Sequence, residues 1–122
     1  MKVIVADDSR VMRNIIDRAI KPIGLETIHA GNGQEVLDSL EIHGQDISLI
    51  LLDWNMPVMN GLEVLESMQG NNLYQNIPVL MVSTESEKEK MDKAIEAGAK
   101  GYLSKPFTSE ALMSLIRSTI QT

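Results

Sequence analysis

The stretch Leu49-Ile50-Leu51-Leu52-Asp53-Trp54-Asn55-Met56-Pro57 decides how this chain is read. Four apolar residues in unbroken succession fit a strand covered on both faces, because a strand with one wet face alternates instead. The run stops on a carboxylate, and Asn55, Pro57, Asn60 and Gly61 follow with the composition of a turn. Three further runs share the pattern: Val3–Ala6, Val79–Val82 and, more weakly, Gly101–Leu103. A fifth, Glu26–Ala30, mixes polar and apolar residues and suits a sheet edge.

Helical periodicity fills the intervals. Val11, Met12, Ile15, Ile16, Ala19 and Ile20 form one apolar stripe that stops at Pro22 and Gly24. Val36, Leu37 and Leu40 mark a second helix, and Leu62, Leu65 and Met68 a third that ends at Gly70. Met91, Ala94 and Ile95 mark a fourth closed by Gly98. Leu112, Leu115, Ile116 and Ile120 mark the last, with Thr108 or Ser109 as its N-cap. Strand and helix alternate throughout, which specifies an α/β fold: a five-stranded parallel sheet with helices on both faces. No repeat, linker or low-complexity segment interrupts it, so residues 1–122 read as one domain with no appended effector.

Composition narrows the function classes. The chain has 122 residues, 17 acidic and 11 basic side chains, a net charge of −6 and no cysteine. Disulfides, thiolate zinc sites and iron–sulfur clusters are therefore excluded. A pI near 4.8 argues against nucleic-acid binding through bulk charge. No apolar run approaches the length of a signal peptide core or of a membrane span, about 20 residues. A cytoplasmic monomer is expected, with neither nucleic acid nor membrane as partner.

The polar residues carry the functional signal through their position. VIVA runs into Asp7 and Asp8, LILL into Asp53, VLMV into Ser83 and Thr84, and GYLS into Lys105. In a parallel sheet these ends share one edge, and open α/β sheets bind ligands in the crevice outside that edge. Each residue alone has a plain structural alternative. Asp7 and Asp8 can cap the first helix, Asp53 can open a turn, Ser83 and Thr84 can cap the fourth helix, and Lys105 can be solvated. Four strands each placing a polar group at one edge are harder to explain that way. Two carboxylates ~5 Å apart at an effective dielectric of ~20 repel by about 3 kcal/mol, so three of them recruit protons or a cation. A hard ion such as Mg²⁺ suits oxygen ligands, and the lack of a histidine in the cluster weighs against zinc or iron. A metal, a lysine, a hydroxyl and a nucleophilic carboxylate are the equipment of phosphoryl transfer to aspartate.

The stretches VIVADDS, LILLDWNMPVMNGLEVL, IPVLMVSTESE and AIEAGAKGYLSKPF resemble the receiver domains of two-component response regulators along the whole chain. Within that family the stand-alone chemotaxis regulators are most similar. The resemblance implies a flavodoxin-like sheet in the order 2-1-3-4-5. It implies Asp53 as phosphoacceptor for a histidine kinase of the CheA-like kind, and Mg²⁺ held by Asp8, Asp53 and the Asn55 carbonyl with help from Asp7. Lys105, followed by a cis bond to Pro106, and Ser83 would bind the phosphoryl oxygens. Tyr102 would be the switch residue that turns inward, and Asn55 and Glu85 would tune dephosphorylation, with a phosphatase as a further partner. Trp54 is expected as a partly exposed reporter of metal, and His29 and His43 as surface residues outside the pocket.

The implied output is a remodelled face around Tyr102 that docks a target, the flagellar motor switch. The alternatives are a phosphorelay intermediate or a receiver cut from a longer regulator. Glu87, Ser104 and Leu115 stand where the enteric chemotaxis pattern has lysine, valine and lysine, which makes this face less basic. Met113 and Ile120 are candidate docking or dimer residues. Two other classes fit less well. A dehalogenase-like phosphatase needs D-x-D after its first strand, and a flavodoxin-like electron carrier needs a phosphate cradle where Asp7 and Asp8 would repel it.

Overall fold

The computed structural model describes residues 1–84 and 88–120. Five strands alternate with five helices: β1 (Lys2–Ala6), α1 (Arg10–Ile20), β2 (Glu26–Ala30), α2 (Gly33–His43), β3 (Ile47–Leu52), α3 (Gly61–Gln69), β4 (Val79–Ser83), α4 (Lys88–Glu96), β5 (Gly101–Ser104) and α5 (Ser109–Ile120). All neighbouring strands pair in parallel in the order β2-β1-β3-β4-β5. The mixed run 26–30 does lie at an edge, and the continuous runs occupy the three interior places.

Period-two alternation divides the interior strands between two cores. Ile4, Ala6, Ile50, Leu52, Val79 and Met81 face Val36, Leu40, Val64, Leu65, Met68 and Ala94, so α2, α3 and α4 cover one side. Val3, Val5, Leu49, Leu51, Leu80 and Val82 face Ile16, Ile20, Leu112 and Ile116 of α1 and α5 on the other. Burial of each such side chain is worth roughly 1.5–3 kcal/mol, which is why both faces must be covered.

The helix ends follow their local chemistry. Ser9 caps α1 by accepting from Met12 N–H at 3.2 Å, so that cap does not fall to Asp7 or Asp8. A 3₁₀ turn over Lys21–Ile23 closes the helix at Gly24, whose φ of 77° suits glycine. Asn32 caps α2, Asn60 and Glu63 form a capping box on α3, and the Thr108 hydroxyl accepts from Ala111 N–H at the start of α5. The start of α4 before Lys88, on which a cap by Ser83 or Thr84 depends, falls among residues 85–87 outside the described ones.

One expectation needs correction. Trp54 is only 8% exposed and belongs to the α2–α3–α4 core, because the chain folds back over it when α3 docks. His43 is half-buried at the end of α2 and lies outside the acid cluster. Leu115, part of the apolar stripe expected for α5, is half-buried and packs over Gly101. Among the described residues no helix is long and apolar enough to cross a membrane.

Candidate functional site

The sheet ladder continues past the strand ends and thereby places the polar residues. Asp7 N–H donates to the Ala30 carbonyl, Asp53 N–H to the Ala6 carbonyl (both 3.0 Å) and Lys105 N–H to the Ser83 carbonyl at 2.9 Å. Residues from β1, β3, β4 and β5 therefore open onto one crevice at the carboxyl edge. The loop after Asp53 is pinned as well: Gly61 N–H donates to the Trp54 carbonyl at 2.9 Å. A Cβ at Gly61 would collide with the Asp53 carbonyl oxygen, so only glycine lets α3 begin this close to the site.

Asp7, Asp8 and Asp53 each bring one carboxylate oxygen to within 4.8 Å of the others. Asp7 is 2% exposed and Asp53 6%, whereas Asp8 is exposed and stands at the mouth. Lys105 Nζ lies 2.5 Å from Asp7 Oδ2 and 3.4 Å from Asp53 Oδ2, and its side chain is largely covered. Asp7 Oδ1 accepts from Ser9 N–H at 2.8 Å. Ser83 is fully buried at the end of β4. Desolvation by burial pushes the Asp53 carboxyl above its ordinary pKa and the Asp7 charge adds to this; the Ser83 hydroxyl and the Lys105 ammonium pull it down.

Three carboxylates against one ammonium leave an excess of negative charge in a partly closed crevice. Among the described residues Asp53 Oδ1 is buried without a hydrogen-bond partner, an arrangement that costs about 1–3 kcal/mol unless a ligand completes it. The donor set is all oxygen. A hard divalent cation fits these residues on charge, ligand type and the orphaned oxygen together.

The family described as response regulator receiver domain matches residues 3–117. The chain belongs to that family. Among the relatives of this receiver domain, the Chemotaxis protein CheY1 of Helicobacter pylori strain J99 is 35% identical over 123 residues, which covers 100% of this chain and 98% of the relative. A CheY homolog of Campylobacter jejuni is 36% identical over 123 residues, with 100% and 94% coverage. The structure of Vibrio cholerae chemotaxis protein CheY4 superimposes with a TM-score of 0.88 at 32% identity and 97% coverage of both chains. A CheX–CheY–BeF3–Mg complex from Borrelia burgdorferi shares the fold at a TM-score of 0.91 and 24% identity, covering 97% of this chain and 87% of that one. The chain is thus a CheY-like receiver domain, a signalling phosphoacceptor of the two-component type.

Of the residues singled out in the sequence, Asp7, Asp8, Asp53 and Lys105 meet in the crevice, with Ser83 beside Asp53. The Lys105–Pro106 bond is cis. Tyr102 is half-buried on β5 against the α2–α3–α4 core. Asn55 is exposed, two residues beyond Asp53, and Met113 and Ile120 are half-buried on α5. Glu85 and Glu87 lie outside the described residues. His29 is exposed and outside the acid cluster, but its Nδ1 accepts from Arg13 Nε at 3.3 Å. Arg13 itself carries no signal in the sequence beyond its place one turn into the helix that follows the acid pair.

Proposed function

We propose that this receiver domain is a chemotaxis-type switch that takes a phosphoryl group from a CheA-like histidine kinase onto Asp53. The observation that carries this reading is the buried, unpartnered Asp53 Oδ1 beside two further carboxylates and Lys105. In the reaction the Asp53 carboxylate attacks phosphorus, the new O–P bond forms, and the N–P bond of the donor phosphohistidine breaks with its electron pair left on the imidazole. Asp7, Asp8, Asp53 and the Asn55 carbonyl would hold Mg²⁺, which when bound would supply charge neutralisation for the phosphoryl oxygens. Lys105 now divides itself between Asp7 and Asp53, and a phosphoryl oxygen on Asp53 replaces the longer of those contacts. The Ser83 hydroxyl donates to a second phosphoryl oxygen. Asn55 and Glu85 govern how water removes the group, alone or with a phosphatase.

Ser83 ends the strand next to Tyr102's own, with Met81 in register with Tyr102 and Ser83 with Ser104. A shift of Ser83 toward the phosphoryl group is therefore felt at Tyr102, which turns inward and remodels the outer face of β5 and its flanking helices. That face docks a target in the cytoplasm, the flagellar motor switch. Identity of 35–36% to chemotaxis proteins over the full chain supports this output.

A small acyl-phosphate donor with Mg²⁺ is expected to add one phosphoryl group that hydroxylamine removes, read by intact mass. Labelling that survives in Asp53→Asn would remove Asp53 from the mechanism. For the output, capture of purified motor-switch protein by the beryllofluoride-treated chain, and not by the untreated one, is the expected result. Capture of a histidine phosphotransfer protein alone would instead make the chain a relay intermediate.

A further inference from the structure

Arg13 has no part in the chemistry above, yet it ties the acid loop to the neighbouring edge strand. It lies in the first turn of α1. Its Nη1 donates to the Asp7 carbonyl oxygen at 2.5 Å, and its Nε donates to His29 Nδ1 at 3.3 Å. His29 belongs to β2, and the next residue, Ala30, accepts the Asp7 N–H at 3.0 Å. The main chain of Asp7 is thus gripped on both sides by β2, directly through its N–H and through Arg13 at its carbonyl. Its carboxylate is held as fully, by Ser9 N–H and by Lys105. The Glu35 carboxylate accepts from Gly31 N–H at 2.7 Å, and a Cβ on Gly31 would stand 3.5 Å from Arg13 Nη1 and 3.6 Å from Glu35 Oε1. Guanidinium and carboxylate therefore flank the same glycine.

We propose that Arg13 is a positioning residue for the cation site: it fixes the Asp7 main chain so that the Asp7 carboxylate meets both Lys105 and the cation. This rests on the Mg²⁺-dependent reading of the crevice. On charge alone Arg13 is the wrong residue for that place, because a cation beside the acid loop opposes a divalent ion. On geometry it is the right one, since a planar fork with fixed donors spans two acceptors on different elements and an ammonium does not. The two effects have opposite signs, so one measurement separates them.

The measurement is a Mg²⁺ titration of the full chain followed by the fluorescence of Trp54, which adjoins Asp53. Arg13→Met is expected to weaken Mg²⁺ binding roughly tenfold, the scale on which partners of metal ligands act. Its His29 Nδ1 should also lose the hydrogen bond it accepts from Arg13 Nε, a change visible in the Nδ1 ¹⁵N shift without any metal. Mg²⁺ binding in Arg13→Met as tight as in the wild type, or tighter, overturns the proposal. If that variant does not fold, Arg13→Lys decides, because it keeps the charge and loses the fork. A several-fold weakening then supports the positioning role, and wild-type affinity overturns it. A wild type with no Mg²⁺ response sinks the functional reading first, whereas a responsive wild type matched by its Arg13 variants sinks this inference alone.

Discussion

Burial raises the pKa of the Asp53 carboxyl, and a raised carboxyl pKa has a definite sign for stability. The unfolded chain gives up this proton near the ordinary value, about 3.9, and the folded chain only at higher pH. Between those two values the folded state binds more protons, so stability falls as pH rises through the window, and the cost is fully present above it. Asp53→Asn removes the charge, while Lys105 keeps its closer partner Asp7. Without divalent cations the variant should therefore melt higher than the wild type at pH 7, with the gap closing as pH falls toward 4. Thermal melts across pH in a chelator check this; an Asp53→Asn chain less stable than wild type at neutral pH would refute it. A second residue stores strain in the backbone. Val58 has φ 69°, a left-handed conformation that costs a β-branched residue about 1–3 kcal/mol, and its side chain is 79% exposed, so little packing offsets it. Val58→Asn is expected to gain about 1 kcal/mol in urea denaturation, since asparagine tolerates this region.

The element that holds the site from below is α3. Asn60 Oδ1 accepts from Glu63 N–H at 2.9 Å and Glu63 Oε1 accepts from Asn60 N–H at 3.1 Å, closing the capping box just before Gly61 meets the Trp54 carbonyl. Asn60→Ala should cost about 1 kcal/mol, and Asn60→Asp, which keeps the acceptor and favours the helix dipole, close to nothing. Equal losses in the two variants, measured by chemical denaturation, would count against the cap as the cause. At this scale the sequence is most informative. The interior strands announce themselves because burial on both faces forces continuous apolar runs, and the parallel arrangement then sends Asp7, Asp8, Asp53, Ser83 and Lys105 to one edge. The burial of Trp54 is not visible that way, because it follows from a long-range fold-back of the loop onto α3. Neither is the reach of Arg13, whose partners are a main-chain carbonyl and a histidine sixteen positions away. The strand order came with the family resemblance and not from periodicity, which is blind to which strands are neighbours.

For the whole molecule, two apolar cores meet at a sheet, and the three buried polar or charged side chains among the described residues, Asp7, Asp53 and Ser83, all end at the same edge. The apolar layers stabilise the fold, and that edge works against it by gathering carboxylates where water is scarce. A cation that binds the folded crevice and not the unfolded chain returns part of that loss by linkage. At a free Mg²⁺ concentration ten times its dissociation constant the gain is about 1.4 kcal/mol, which for a chain of this length raises the melting temperature by roughly 5 °C. The rise should continue logarithmically with Mg²⁺, and NaCl of equal ionic strength should not reproduce it, because screening acts weakly on partly buried charges. Asp8→Asn leaves both buried acids in place and removes the carboxylate at the mouth. In chelator it should be at least as stable as the wild type, because one repelling charge is gone, and it should lose most of the Mg²⁺ increment. A melting temperature indifferent to Mg²⁺ in the wild type would mean that Lys105 alone balances the acids. An Asp8→Asn chain that keeps the full increment would place the cation on Asp7 and Asp53 without it.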